Sequence, residues 1–252
     1  MTINSVLTAF RLLELIAEVE KVGLTALSRT AELPKGSVQR YLLTLKEAGW
    51  IAETPEPPVQ WQLTSRGFSV CKNAGSPSDI RQIAMPHLNN LQLITTETIH
   101  LAVPDARDVV LIERLDTSHS LRAFLPIGDR NPMHASATGL AIMSRYDNDQ
   151  IEDYISQGLL QVAEKTITDP SALKEKIERA RELGYSTNDR GLSDGICSTG
   201  AAIVDAEGKP IASVSVSGPA SRLSPDKLEK YGPKAAAAAG AISDEVYKLG
   251  PI

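Results

Sequence analysis

Apolar side chains in the stretch from Lys35 to Ala48 fall at Val38, Tyr41, Leu42, Leu45 and Ala48. That is the spacing of a helix with one buried stripe. Upstream, Val6, Phe10, Leu13, Ile16 and Ala17 line one face of a helix expected from about Ser5 to Val19, closed by Gly23. Thr25 reads as the N-cap of a second, short helix with Leu27 and Ala31 facing inward, and Leu33-Pro34 ends it because proline is tolerated in a first turn and not inside a helix. Downstream, Trp50–Glu53 and Val59–Leu63 read as two short strands joined by Thr54–Pro58. Two short helices across a tight turn, a third helix and a hairpin predict a winged helix-turn-helix.

The pattern then changes. The small, polar run Asn73–Pro77 reads as a domain join, with Ser78 or Asp79 capping a helix whose stripe is Ile80, Ala84, Leu88, Leu91 and Ile94. Thr98–Val103 alternates, Val109–Leu115 is apolar, and Asp105–Asp108 supplies the turn between them. A third strand is expected near Leu121–Leu125, then a loop over Gly128–Pro132 and a small-residue helix over Ala135–Ser144. Asp169-Pro170 opens a helix that Gly184 ends. Cys197–Val204 and Pro210–Val216 flank the turn Asp205–Lys209, and Ser224-Pro225-Asp226 opens a last helix through Tyr247. Hairpin strands with helices segregated between them predict an α+β fold with an antiparallel sheet. The expected division is a winged helix-turn-helix at 1–75, a linker helix at 76–95 and a sheet domain at 96–252.

Composition narrows the function. The 252 residues suit two domains and contain no apolar run of the roughly 20 residues a membrane span needs, so a cytoplasmic protein is expected. Cys71 and Cys197 have no CxxC partner and are expected as free thiols, while His87, His100, His119 and His134 lack metal-ligand spacing. No phosphate-binding loop, dinucleotide fingerprint or Gly-x-Ser-x-Gly elbow is present, so no cofactor or metal is expected. The net charge of −5 hides an asymmetry: residues 1–75 hold 8 Lys and Arg against 7 Asp and Glu, and the rest 18 against 24. A polyanion can dock only on the nearly neutral head.

The third helix offers the chemistry for that. Its solvent flank carries Ser37, Gln39, Arg40 and Thr44, with Lys35 near its start. Arg40 can fork onto a guanine edge or a phosphate, Gln39 can pair with adenine, and Ser37, Thr44 and Lys35 suit backbone contacts. Thr25 and Gly36, at the two helix starts, complete the expected DNA-facing set. The wing tip carries Glu56 and prolines and no cation, which leaves the recognition helix most of the work.

These segments, in this order, resemble the isocitrate lyase regulator (IclR) family of bacterial transcription factors. The resemblance runs over essentially the whole chain through "SVLTAFRLLELIAE", "LPKGSVQRYLLTLKEAGWI", "ETIHLAV", "PIGDRNPMHASATG" and "RELGYSTNDRGLSDGICSTGAAIVDAEGKPIASVSVSGP". It implies a GAF-like effector domain behind the winged head, and a dimer or tetramer on palindromic double-stranded operators. By the same resemblance Ala137, Thr138, Asn188, Cys197, Ser215 and Ser217 lie at the effector, with Ser120, Ala123, Asn131 and Ile196 as walls. Members commonly have an acidic residue where this chain has Asn188 and a glycine where it has Ala137. An asparagine can donate to an anion that an ionised aspartate would repel, and Ala137, Ala123 and Asn131 argue against the smallest oxoacids. The implied function is a repressor of a catabolic operon controlled by a small carboxylic-acid-like metabolite, a carboxylate or amide larger than those oxoacids, with aromatic ones among the candidates. The alternative weighed against it is an enzyme with Cys197 as nucleophile and His134 as base.

Overall fold

The computed structural model describes residues 2–71 and 77–249, with only the backbone of Phe68, Cys71, residues 77–79 and Leu249. The chain divides into two compact units, Met1–Ala74 and Gly75–Ile252.

In the first unit, α1 (Asn4–Val19), α2 (Leu24–Thr30) and α3 (Lys35–Glu47) pack around Leu12, Ile16, Leu27, Ala31, Val38 and Leu42. The strands β1 (Ile51–Glu53) and β2 (Trp61–Leu63) pair antiparallel with Ile51 opposite Leu63. Val22 exchanges backbone hydrogen bonds with Trp61, which ties the α1–α2 connection to the wing. This is the winged helix-turn-helix predicted above, with differences in detail. The buried stripe of α1 runs through Leu12 and Ile16, whereas Val6, Phe10 and Ala17 are exposed. Gly23, not Thr25, is the N-cap of α2, so Thr25 sits one residue inside the helix and caps nothing. A further helix, α4 (Arg66–Cys71), follows the hairpin.

The expected join at Asn73–Pro77 lies, but for Pro77, outside the described residues. In the second unit α5 (Pro77–Thr95) begins at its proline, so Ser78 and Asp79 are inside the helix and neither is its cap. Ile80, Ala84, Leu88 and Leu91 are buried; Ile94 is exposed and Thr95 is buried in its place. The sheet holds β3 (Thr98–Asp105), β4 (Asp108–Leu115), β5 (Arg130–Pro132), β6 (Ser186–Asp189), β7 (Ile196–Val204) and β8 (Pro210–Pro219) in the order β5-β4-β3-β8-β7-β6, antiparallel throughout. No strand forms at Leu121–Leu125: that segment is irregular, and the strand beside β4 is β5, inside the expected loop. Its carbonyls go to side chains instead of a ladder, Leu121 O to Arg222, Ala123 O to Thr98 and Leu125 O to Arg114.

Helices cover both faces of the sheet. On one, Ile99, Leu101, Ala201, Ile203, Ala212, Val214 and Val216 meet α5 and α9 (Pro225–Leu249). On the other lies α6 (Ala137–Met143), buried along its whole length and backed by α7 (Asn148–Ser156), which the sequence reading passed over, and α8 (Pro170–Leu183). Asp169 caps α8 and Gly184 ends it with φ of 76°, the left-handed conformation that favours glycine. Two glycines let α6 lie close: a Cβ on Gly139 would strike the Met133 backbone, and one on Gly200 would come within 2.9 Å of Val214 O and 3.2 Å of Ala137.

Candidate functional site

In the first unit the burial of Val38, Leu42 and Leu45 turns the opposite flank of α3 to solvent. Lys35, Gly36, Gln39, Arg40 and Thr44 are exposed there and Ser37 is half-buried; Thr25 is exposed on α2. Thr44 donates its hydroxyl to Arg40 O at 3.0 Å, so it is left as an acceptor and not the donor expected. Among the described cations of this unit, Lys46 alone has a carboxylate at ion-pair distance, Glu53 at 2.7 Å. Arg11, Lys21, Arg29, Lys35, Arg40 and Arg66 have none. Surface cations without partners keep their charge available to phosphates.

In the second unit a cavity of about 30 Å³ opens between α6 and the sheet. Strand parity decides its lining. Thr98, His100 and Ala102 share one side of β3, Ser213, Ser215 and Ser217 one side of β8, and the register sets His100 opposite Ser215. The cavity walls are His100, Asn131, Ser136, Thr138, Ser215 and Ser217, closed by Ala137, Ser198 and an apolar set that includes Leu125. None of them carries a formal charge at neutral pH. His100 is fully enclosed, and burial, aided by Arg114 and opposed by Asp116, lowers its pKa to about 4. Its Nδ1 lies 3.1 Å from Ser217 Oγ, and its Nε2 has no hydrogen-bond partner in the chain. Ser136 caps α6 by accepting from the Gly139 amide at 3.0 Å.

Of the ten residues assigned to the effector from the sequence, the structure brings together Asn131, Ala137, Thr138, Ser215 and Ser217 at this cavity. The other five lie off it. Cys197 has the opposite parity from Ser198 and packs with Leu223 and Leu228, donating to Asp189 Oδ1 at 3.3 Å. Asn188 lies off the cavity with its amide engaged in the chain: Nδ2 donates to Ala135 O, and Oδ1 accepts from the Gly191 amide at 2.7 Å. Ser120 is exposed, Ala123 is buried outside the cavity, and Ile196 is half-buried at the strand end. His100, Ser136 and Ser198 were missed, although the serine alternation in "SVSVSG" and the facing strand "ETIHLAV" hold the signal for His100.

The enzyme alternative fails on geometry. Burial and then Asp189 push the Cys197 thiol up to about 11, the reverse of an activated nucleophile. His134 is not its base: Nε2 donates to Leu160 O at 2.9 Å, which leaves Nδ1 to accept from the Tyr154 hydroxyl at 2.7 Å. Among the described residues no group of His, Cys, Asp and Glu could hold a metal, and no helix is long and apolar enough to cross a membrane.

Comparison with known proteins adds an independent line. Residues 5–55 match the IclR helix-turn-helix domain model and residues 73–244 the model of the bacterial transcriptional regulator IclR C-terminal domain. The HTH-type transcriptional regulator KdgR of Escherichia coli is 31% identical over 91% of this chain and 88% of its own length. The transcriptional repressor IclR of the same organism is 31% identical over 91% of this chain and 85% of its own. Among solved structures, an IclR homologue from Microbacterium hydrocarbonoxydans complexed with 4-hydroxybenzoate superposes with a TM-score of 0.81 at 23% identity, covering 96% of this chain and 98% of that one.

Proposed function

The chain belongs to the IclR family of bacterial transcriptional regulators, and from that premise we propose that it is a repressor which binds a palindromic operator as a dimer or tetramer and is released or held by a small carboxylic acid. It is a DNA-binding regulator and not an enzyme. The observation that carries the finer reading is the flank of α3: Lys35, Gln39 and Arg40 stand in solvent with no carboxylate beside the two cations, while the opposite flank is locked in the core. Two such helices on half-sites about one DNA turn apart give the palindrome. We divide the chain functionally into a DNA-binding head at 1–75, a linker at 76–95 and an effector domain at 96–252, working in the cytoplasm on a catabolic operon.

For the effector, the uncharged donors around the cavity and the start of α6 favour an anionic head group fixed by hydrogen bonds without a counter-charge. The cavity has room for little more than one water-sized group. An aromatic acid, such as the 4-hydroxybenzoate named for the Microbacterium homologue, therefore requires the segment bearing Leu125 to move outward. Differential affinity of the ligand for two arrangements of the effector domains would then set the spacing of the recognition helices.

A gel shift with the DNA upstream of the chain's own gene tests the reading. The expected result is specific binding that Arg40→Ala weakens by about tenfold or more, the worth of one good base contact. Equal affinity of the variant and the original chain overturns the assignment of α3.

A further inference from the structure

A second cavity, of about 260 Å³, opens where α8, β6 and the segment Lys165–Ile167 meet, and nothing above gives it a role. We propose that it binds a small oxyanion, a phosphate or a carboxylate, held by Lys176 and Lys165 with the hydroxyl of Thr187. This inference stands apart from the DNA-binding reading and is tested apart from it.

The cations of α8 show why. Lys174 pairs with Glu152, Arg179 with Glu182 at 3.0 Å and Arg181 with Glu178 at 2.9 Å. Lys176 alone among them has no carboxylate at ion-pair distance among the described residues. Its Nζ donates to Thr187 Oγ1 at 2.9 Å, which uses one of three donors. It is half-buried beside Ile177, and burial lowers its pKa, an effect that the Asp189 carboxylate beyond ion-pair distance opposes in part. An anion in the cavity supplies the contact ion pair that Lys176 lacks.

The surrounding groups leave room for it. Asp189, the one carboxylate lining the cavity, is already engaged: Lys165 Nζ lies 2.9 Å from Oδ2, and Arg190 Nε 2.8 Å from Oδ1. Cys197 also donates to Oδ1, and these donors hold the Asp189 carboxyl well below the usual carboxylate range. His134 faces the cavity as a neutral ring with both nitrogens committed. Lys165, Lys176 and Arg190 thus stand against Asp189, with Glu164 and Asp194 exposed nearby. Asn188 touches this cavity and holds Ala135 O, next to Ser136 and Ala137 in the wall of the first.

Titrating inorganic phosphate, and acetate in a parallel arm, into the ¹⁵N-labelled full chain at constant ionic strength tests the proposal. Saturable amide shifts confined to 165–167 and 187–191 are expected, and the arm that saturates at lower concentration identifies the anion class. Lys176→Met should raise the midpoint by about tenfold, one lost charged contact, and Lys174→Met, whose lysine is paired elsewhere, should leave it unchanged. Shifts that rise without saturating in both arms, or an equal midpoint in Lys176→Met, overturn the site. Should Lys176→Met not fold, the shift map of the original chain decides alone.

Discussion

Strand β8 turns Ala212, Val214 and Val216 to one side and Ser213, Ser215 and Ser217 to the other, and all six are buried. The valines meet the apolar flanks of α5 and α9. On the other side Ser215 and Ser217 line a cavity with a neutral histidine in its wall, and Ser213 is buried beyond it. One face holds the sheet together, and the other keeps hydrogen-bonding groups out of water without satisfying all of them. A buried polar group short of partners is costly to the fold. That cost falls on Ser213 Oγ and His100 Nε2, which have no partner in the protein, while Ser215 and Ser217 bond to each other.

Changing residues face by face should separate the two roles. Val216→Ser places a hydroxyl and a void among α5 and α9, and should cost about 4 kcal/mol in denaturant unfolding. A loss below about 1 kcal/mol would mean that this face is not the structural one. On the other face the expected effect is a pH dependence. The folded pKa of His100, about 4, lies below its ordinary value of 6.5, so between these limits the unfolded chain binds a proton that the folded chain refuses. Stability therefore falls as pH drops from 6.5 to 4, by about 3 kcal/mol from this residue, and is unaffected by it above 6.5. Lowered likewise by burial, His134 adds a contribution of the same sign. In His100→Gln the slope over that window should flatten by the His100 share; an unchanged slope removes the histidine from the account. Ser213→Ala deletes a hydroxyl that has no partner within the protein, and should shift unfolding by no more than about 1 kcal/mol in either direction. Cys197, turned toward Leu223 and Leu228, should alkylate slowly at pH 8 when its peptide is followed by mass spectrometry, since its pKa is about 11. Rapid labelling would place it on the open side instead.

What could be read from the sequence divides along physical lines. Elements with a local signature were legible: the stripe of α3, the Asp169 cap and Gly184 stop of α8, and the turn Asp205–Lys209 between β7 and β8. Leu121–Leu125 is mostly apolar and short like a strand, but Arg114, Arg222 and Thr98, outside the segment, take the carbonyls that a ladder would have used. Val6 and Phe10 fit a stripe that the packing of α1 rotates away from. At the cavity, residues inferred from segment order fell on both sides of their strands. Ser215 and Ser217 face it; Cys197, on the neighbouring strand, points away. Parity depends on cross-strand register, and register is a long-range property.

Gly139 and Gly200 carry a last consequence. At both positions α6 is seated directly against backbone, Gly139 on Met133 and Ala137 on Gly200 of β7, so a side chain at either glycine would push the helix off its support. A bulkier residue at either glycine would therefore shift, as a unit, the helix whose Ala137 and Thr138 stand in the cavity wall.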